Sequence, residues 1–208
     1  MEPKKSLMIL ACSVLFFVLG CASTQQNIPV DQASSEPGTQ VAFKGNGVKL
    51  LGSPISVGKP MPSVEVVDAM TMKGVDLSKE RGSILLLSIV PSLDTPVCEE
   101  QTHSLGEKGD KLPASVKRIV VSRDTPFAQK RFAKQAKLTN LQYLSDYKQG
   151  DFGRSTGLLT EGLMLLARSL ILVDKEGIVR YIQVVPEMTH LPDMEKAFEM
   201  AIELAKEG

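Results

Sequence analysis

Ile84-Leu85-Leu86-Leu87-Ser88-Ile89-Val90 runs directly into Pro91-Ser92-Leu93-Asp94-Thr95-Pro96-Val97-Cys98. The first half is nearly continuous apolar sequence, as expected of a strand covered on both faces. The second half reads as a helix start, because Thr95 suits an N-cap and Pro96 suits the first helical position. Cys98 then falls at about the third residue of a new helix. There it meets unpaired N–H groups and the positive end of the helix dipole, both of which favour thiolate over thiol. Glu99 and Glu100 follow at once and oppose that effect, so a cation from elsewhere in the fold is needed. The alternative for a lone cysteine is an inert buried side chain. A proline-capped helix start after a core strand favours chemistry instead.

Working outward, Val41–Phe43 and Val48–Leu51 flank Gly45-Asn46, a hairpin signal. Val64–Val67, Arg118–Val121 and Ser169–Val173 are further strand candidates, and Asp174-Lys175-Glu176-Gly177 turns the chain into Ile178–Val185. After Asp193, Met194, Ala197, Phe198, Ala201, Ile202 and Ala205 recur at helical spacing and predict a C-terminal amphipathic helix. Strands that alternate with helices, closing in a β-hairpin and a last helix, suggest an α/β domain with a thioredoxin-like sheet over residues 41–208.

The first forty residues read differently. Lys4 and Lys5 precede an apolar run from Leu7 to Leu19 that only Ser13 interrupts. Thirteen residues span roughly 20 Å as a helix, short of the ~30 Å hydrocarbon core, so residues 1–20 read as a signal peptide. Val18-Leu19-Gly20-Cys21 resembles the lipobox of bacterial lipoproteins, which implies cleavage after Gly20 and a diacylglycerol thioether on Cys21. The alternative is an ordinary signal peptide with a chance cysteine. Residues 21–40 are polar, with Ser, Thr, Gln, Asn, Pro and Gly prominent, and read as a lipidated cysteine followed by a flexible tether. Lipidation places the chain in the cell envelope, on the periplasmic or the extracellular side of a membrane.

Charge and cysteine counts exclude several classes. The chain has 208 residues, with 24 Lys+Arg against 24 Asp+Glu. Removing residues 1–20 takes two Lys and one Glu and leaves 22 against 23. A neutral chain without a basic cluster has no electrostatic footprint for nucleic acid and no charge-based reason to sit on anionic lipid. Three cysteines, an odd number, cannot form a complete disulfide framework. Cys12 leaves with the signal peptide, a lipidated Cys21 has no thiol, and Cys98 remains.

The stretch Pro91…Thr95…Cys98 carries the Pro, three residues, Thr or Ser, two residues, Cys signature of peroxiredoxins. The Phe43-Lys44-Gly45-Asn46 hairpin, Pro126-Phe127-Ala128-Gln129 within Asp124–Phe132, and Leu166-Ala167-Arg168 entering a strand match one subgroup. Over Val41–Ala205 the chain resembles the thiol peroxidases, atypical two-cysteine peroxiredoxins. The resemblance implies a single peroxiredoxin-type domain that reduces hydrogen peroxide or organic hydroperoxides. Cys98 is then the nucleophile that becomes a sulfenic acid. Thr95 hydrogen-bonds sulfur and peroxide, Arg168 supplies the missing cation, and Pro91 shields the sulfur. The alternative for Arg168 is a surface ion pair, and for Pro91 a mere strand end. No cofactor and no metal are required by this mechanism.

The chain departs from the subgroup at one point. The resolving cysteine expected just after Phe132 is replaced by Ala133. That puts an intramolecular disulfide in doubt and favours a one-cysteine cycle, in which an external thiol, from a thioredoxin-like protein or a small molecule, reduces Cys98. A peroxide sensor or redox interaction module without multiple turnover is the alternative. The subgroup also implies a possible homodimer. His103 and His190 read as bland surface or loop residues, and Leu163–Leu166 as core in preference to a substrate or dimer surface.

Overall fold

The structure, a computed structural model, describes residues 27–207. The chain runs β1 (Val30–Asp31), β2 (Gln40–Phe43), β3 (Asn46–Leu51), β4 (Glu65–Asp68), β5 (Gly74–Asp76), β6 (Ile84–Ile89), α1 (Pro96–Glu107), β7 (Val116–Ser122) and α2 (Pro126–Gln135). It continues through β8 (Gln142–Ser145), α3 (Asp151–Thr156), β9 (Leu159–Thr160), β10 (Ser169–Val173), β11 (Val179–Val184), β12 (Leu191–Pro192) and α4 (Met194–Lys206). The signal segment, Cys12 and Cys21 lie outside the described residues.

A seven-stranded sheet of order β11-β10-β6-β7-β8-β4-β5 forms the centre. β6, β7 and β8 are parallel, and β10 pairs antiparallel with β6. All six residues of β6 are buried, which explains why its sequence is apolar throughout except for Ser88 instead of alternating. Strand parity divides the side chains. Leu85, Leu87 and Ile89 join Ile171 and Val173 in one core. Ile84, Leu86 and Val90 join Leu170, Leu172 and the helix residues Leu105, Ala197 and Ala201 in the other. Each fully buried leucine contributes about 1.5–3 kcal/mol, and truncating one such as Leu86 to Ala would cost about 2–5 kcal/mol. The fold is thioredoxin-like, with α1 and α4 covering one face.

Most element expectations hold to within a residue or two. β10 coincides with its expected span, and α4 buries Met194, Ala197, Phe198 and Ala201 behind an Asp193 cap that accepts from the Lys196 N–H at 3.0 Å. The hairpin turn is shifted by one residue: Lys44 and Gly45 form it, with φ of 51° and 77°. Gly45 takes that left-handed conformation without strain. Leu163–Leu166 divides between surface and core, with Leu163 and Met164 exposed and Leu166 buried.

The tether expectation is corrected over its described part. From Pro29 onward the chain is docked on the domain, not free to residue 40. β1 pairs in parallel with β12, and the Leu191 N–H donates to the Pro29 carbonyl at 2.8 Å. Ser35 N–H donates to the Val184 carbonyl at 2.8 Å, and the buried Gln183 amide donates to the Asp31 carbonyl at 2.7 Å. His190 also has a partner, Asp31, at 3.1 Å. Polar composition failed as a guide because this segment is held by backbone pairing and polar side-chain bonds, neither of which needs apolar side chains.

Candidate active site

β6 ends at Ile89, and Val90 and Pro91 are buried as the chain leaves the sheet. The loop that follows is clamped from below by Asp124. Its carboxylate accepts from Ser92 Oγ at 2.8 Å, from the Leu93 N–H at 2.8 Å and from Ser122 Oγ at 2.7 Å. Pro96 then opens α1, and Cys98 is its third residue, as the capping pattern predicts. Cys98 is fully buried, and it is the free cysteine among the described residues.

The cation comes from a strand start seventy residues away. Arg168 precedes β10 and shares the parity of Leu170 and Leu172, so its side chain projects to the α1 face of the sheet. Only 2% of it is exposed. Its three kinds of nitrogen have three partners. Nη2 donates to Cys98 Sγ at 3.3 Å, Nη1 to Gln101 Oε1 at 2.7 Å, and Nε to the Met188 carbonyl at 2.9 Å. A planar guanidinium with divergent donors can hold all three, whereas an ammonium group could not. Gln101 is in turn fixed, donating from Nε2 to Ser88 Oγ on β6 at 2.8 Å. Cys98 is therefore placed between a helix N-terminus and an oriented cation. Glu99 and Glu100 are exposed, on the side of α1 away from Cys98.

The structure thus brings together Cys98 and Arg168, with Pro91 buried at the loop's start. Thr95 is placed differently from the expectation. Its backbone caps α1, since its carbonyl accepts from the Glu99 N–H at 3.0 Å, but its side chain makes no capping bond. The residue is exposed, and its hydroxyl donates to the Ser92 carbonyl at 3.0 Å instead of reaching the sulfur. This bond tightens the loop. A depression of about 380 Å³ opens beside Thr95 and Pro96, between the first turn of α1 and Phe132 of α2. Ala133, where the resolving thiol would stand, is buried in the same apolar cluster as Cys98.

Two groups escaped sequence reasoning. Gln101 lies three residues after Cys98 and so on the same side of α1, and a polar side chain on that core-facing side is a signal that could have found it. The Met188 carbonyl carries no sequence signal at all.

A buried cysteine at a helix N-terminus, paired with a buried arginine on a thioredoxin-like sheet, defines the peroxiredoxin class. Comparison with known proteins narrows this. The Redoxin family model matches residues 56–198. A thiol peroxidase from Halalkalibacterium halodurans is 40% identical over 161 residues, covering 77% of this chain and 96% of the relative. The thiol peroxidase of Bacillus subtilis is 35% identical over 167 residues, covering 80% and 99% respectively. A peroxiredoxin-like protein from Aquifex aeolicus superposes with a TM-score of 0.76 at 35% identity, covering 82% of this chain and 99% of that one. The chain belongs to the Redoxin family, among the thiol peroxidases.

Proposed function

We propose that the chain is a thiol-dependent peroxidase that reduces hydrogen peroxide and organic hydroperoxides at Cys98. The observation that carries the reading is the buried 3.3 Å contact between Arg168 Nη2 and Cys98 Sγ. The sulfur attacks one peroxide oxygen, an S–O bond forms as the O–O bond breaks, and the departing alkoxide or hydroxide takes a proton and leaves as alcohol or water. Arg168, with donors already in place, stabilises the charge that builds on oxygen during that exchange. Thr95, with Asp94 and Glu99 on the rim of the depression, is a polar group that an arriving peroxide meets, and Pro91 shields the sulfur from water.

The sulfenic acid is resolved by an external thiol, since Ala133 leaves no internal partner among the described residues. That thiol attacks the sulfenic sulfur, water leaves, and a mixed disulfide forms. A second thiol then releases the reductant as its disulfide and restores Cys98. Complete burial of Cys98 favours a second reading, a peroxide sensor whose sulfenic acid persists. Turnover counting separates the two readings. Many peroxides consumed per chain with a dithiol, and none by Cys98→Ser, supports the enzyme, whereas a single equivalent supports the sensor.

We also infer a membrane-anchored lipoprotein of the cell envelope, held by diacylglycerol on Cys21. The docking of residues 29–35 makes the leash short. Seven residue steps separate Cys21 from Ile28, a reach of at most about 25 Å. The exposed Leu163, Met164 and Tyr147 support a homodimer surface, because Arg123 binds the carbonyls of both Met164 and Tyr147 and gathers them into one patch. Radiolabelled-lipid incorporation that Cys21→Ser abolishes tests the anchor. Sedimentation of Met164→Glu tests the dimer.

A further inference from the structure

Arg168 Nε rests on a backbone carbonyl, so its aim depends on whatever holds that carbonyl. The segment from Val185 to Met188 wraps around the arginine: the Val185 N–H donates to the Arg168 carbonyl at 2.9 Å, and three residues on Met188 accepts from its side chain. This segment belongs to neither neighbouring strand. It is fastened instead to the N-terminal hairpin through Glu187. One carboxylate oxygen accepts from the Lys44 N–H at 3.0 Å, the Thr189 N–H at 3.0 Å and Thr189 Oγ1 at 2.8 Å, and the other accepts from the Gly45 N–H at 2.9 Å. The two hairpin donors converge because Lys44 and Gly45 are both left-handed, which turns successive N–H groups into an anion-binding concavity. Backbone bonds on either side, Ala42 N–H to the Pro186 carbonyl and Met188 N–H to the Ala42 carbonyl, complete the seam.

We propose that Glu187 is a positioning residue for the Cys98–Arg168 pair, acting through the Met188 carbonyl. Glu187 touches neither sulfur nor peroxide. It locks the hairpin to the segment that carries the arginine's support, so the conformation of a turn at residues 44–45 is coupled to the direction of a guanidinium. The inference rests on the assignment of Arg168 to the peroxide step.

The test is a double-mutant cycle on the mature chain, reading the rate of Cys98 oxidation by hydrogen peroxide in rapid-quench experiments at a temperature where every variant is folded. Glu187→Gln keeps the shape but sets an NH2 group against an N–H donor. It is expected to slow oxidation roughly tenfold in the wild-type background, since small misplacements of a catalytic donor are costly, and by less than about twofold once Arg168 is Met, because coupled residues do not add. General destabilisation has no reason to vanish in the Arg168→Met background. Equal slowing in both backgrounds, or a folded Glu187→Gln that reacts at the wild-type rate, overturns the proposal. An Arg168→Met variant that is itself unimpaired overturns the assignment of Arg168 and the proposal with it. Should Glu187→Gln fail to fold, Thr189→Val, which removes one of the four bonds, must show a two- to threefold effect with the same dependence on Arg168.

Discussion

Replacing Arg168 with Met removes the cation from the sulfur while nearly conserving volume, and the structure sets the size of the effect. Sγ loses a preorganised donor at 3.3 Å. Loss of one such donor in other enzymes costs about 100- to 1000-fold in rate, or about 2.7–4 kcal/mol. The second-order rate constant for Cys98 oxidation should fall by the same factor. Stability moves less. Gln101 Oε1 and the Met188 carbonyl each lose a partner at an unforgiving depth, about 1–3 kcal/mol apiece, but the variant no longer buries a guanidinium, whose desolvation offsets several kcal/mol. A net loss of about 1–3 kcal/mol is expected, which lowers the melting midpoint by about 2–12 °C in a domain of this size. Arg168→Lys should recover less than one-tenth of the lost rate, because a single ammonium cannot serve three divergent partners. The chain has no Trp, so oxidation is best followed by rapid quench and intact-mass counting of the sulfenic acid. An Arg168→Met protein that is folded and oxidised within about threefold of the wild-type rate, while Cys98→Ser is inert, would refute the reasoning.

Other consequences can be measured in the same way. Gln101→Leu orphans Arg168 Nη1 and should slow Cys98 oxidation about tenfold with a stability loss of about 1–3 kcal/mol, checked by rapid quench and denaturant titration. Asp124→Ala releases the loop before α1 and should raise hydrogen exchange at the Leu93 N–H, with slower peroxide reaction; unchanged exchange would show that the clamp does not hold the loop. Asp76 gives a pH signature: burial raises its carboxyl, but Ser78, Ser63 and Lys79 outweigh this and hold it at about 2. Its folded value lies below its unfolded one, so its stabilisation is complete above the ordinary carboxylate range and is lost as pH falls toward about 2, and Asp76→Asn should flatten that limb of the acid-unfolding curve. Gln183→Leu cuts the bonds to Asp31 and Ala33 and should make residues 27–40 rapidly cleavable by protease, whereas a true free tether would already be cleaved in the wild type.

Much was legible from local chemistry. The buried strand β6, the turn to α1, the depth of Cys98 within the first helical turn and the face of α4 all follow from patterns a few residues long: a nearly unbroken apolar run, a Thr-Pro start, a 3.6-residue repeat. Arg168 itself was legible only through family resemblance, and its side of the sheet follows from strand parity once β10 is in place. These features are set by interactions between near neighbours, which the order of residues specifies directly.

Tertiary structure alone decided what meets at the sulfur. The bonds from Arg168 to Cys98 and Gln101 span 70 and 67 residues, and they exist because β10 lies beside β6 in the strand order. The Met188 carbonyl, the Glu187 seam, the turning of Thr95 toward Ser92 and the docking of residues 29–35 each have backbone groups on at least one side, and these every residue carries alike, so they leave no mark in composition. Side-chain type can announce a nucleophile and a cation. Which way they point is settled by packing between distant elements, and in this protein that packing sets the Arg168 guanidinium against the Cys98 sulfur.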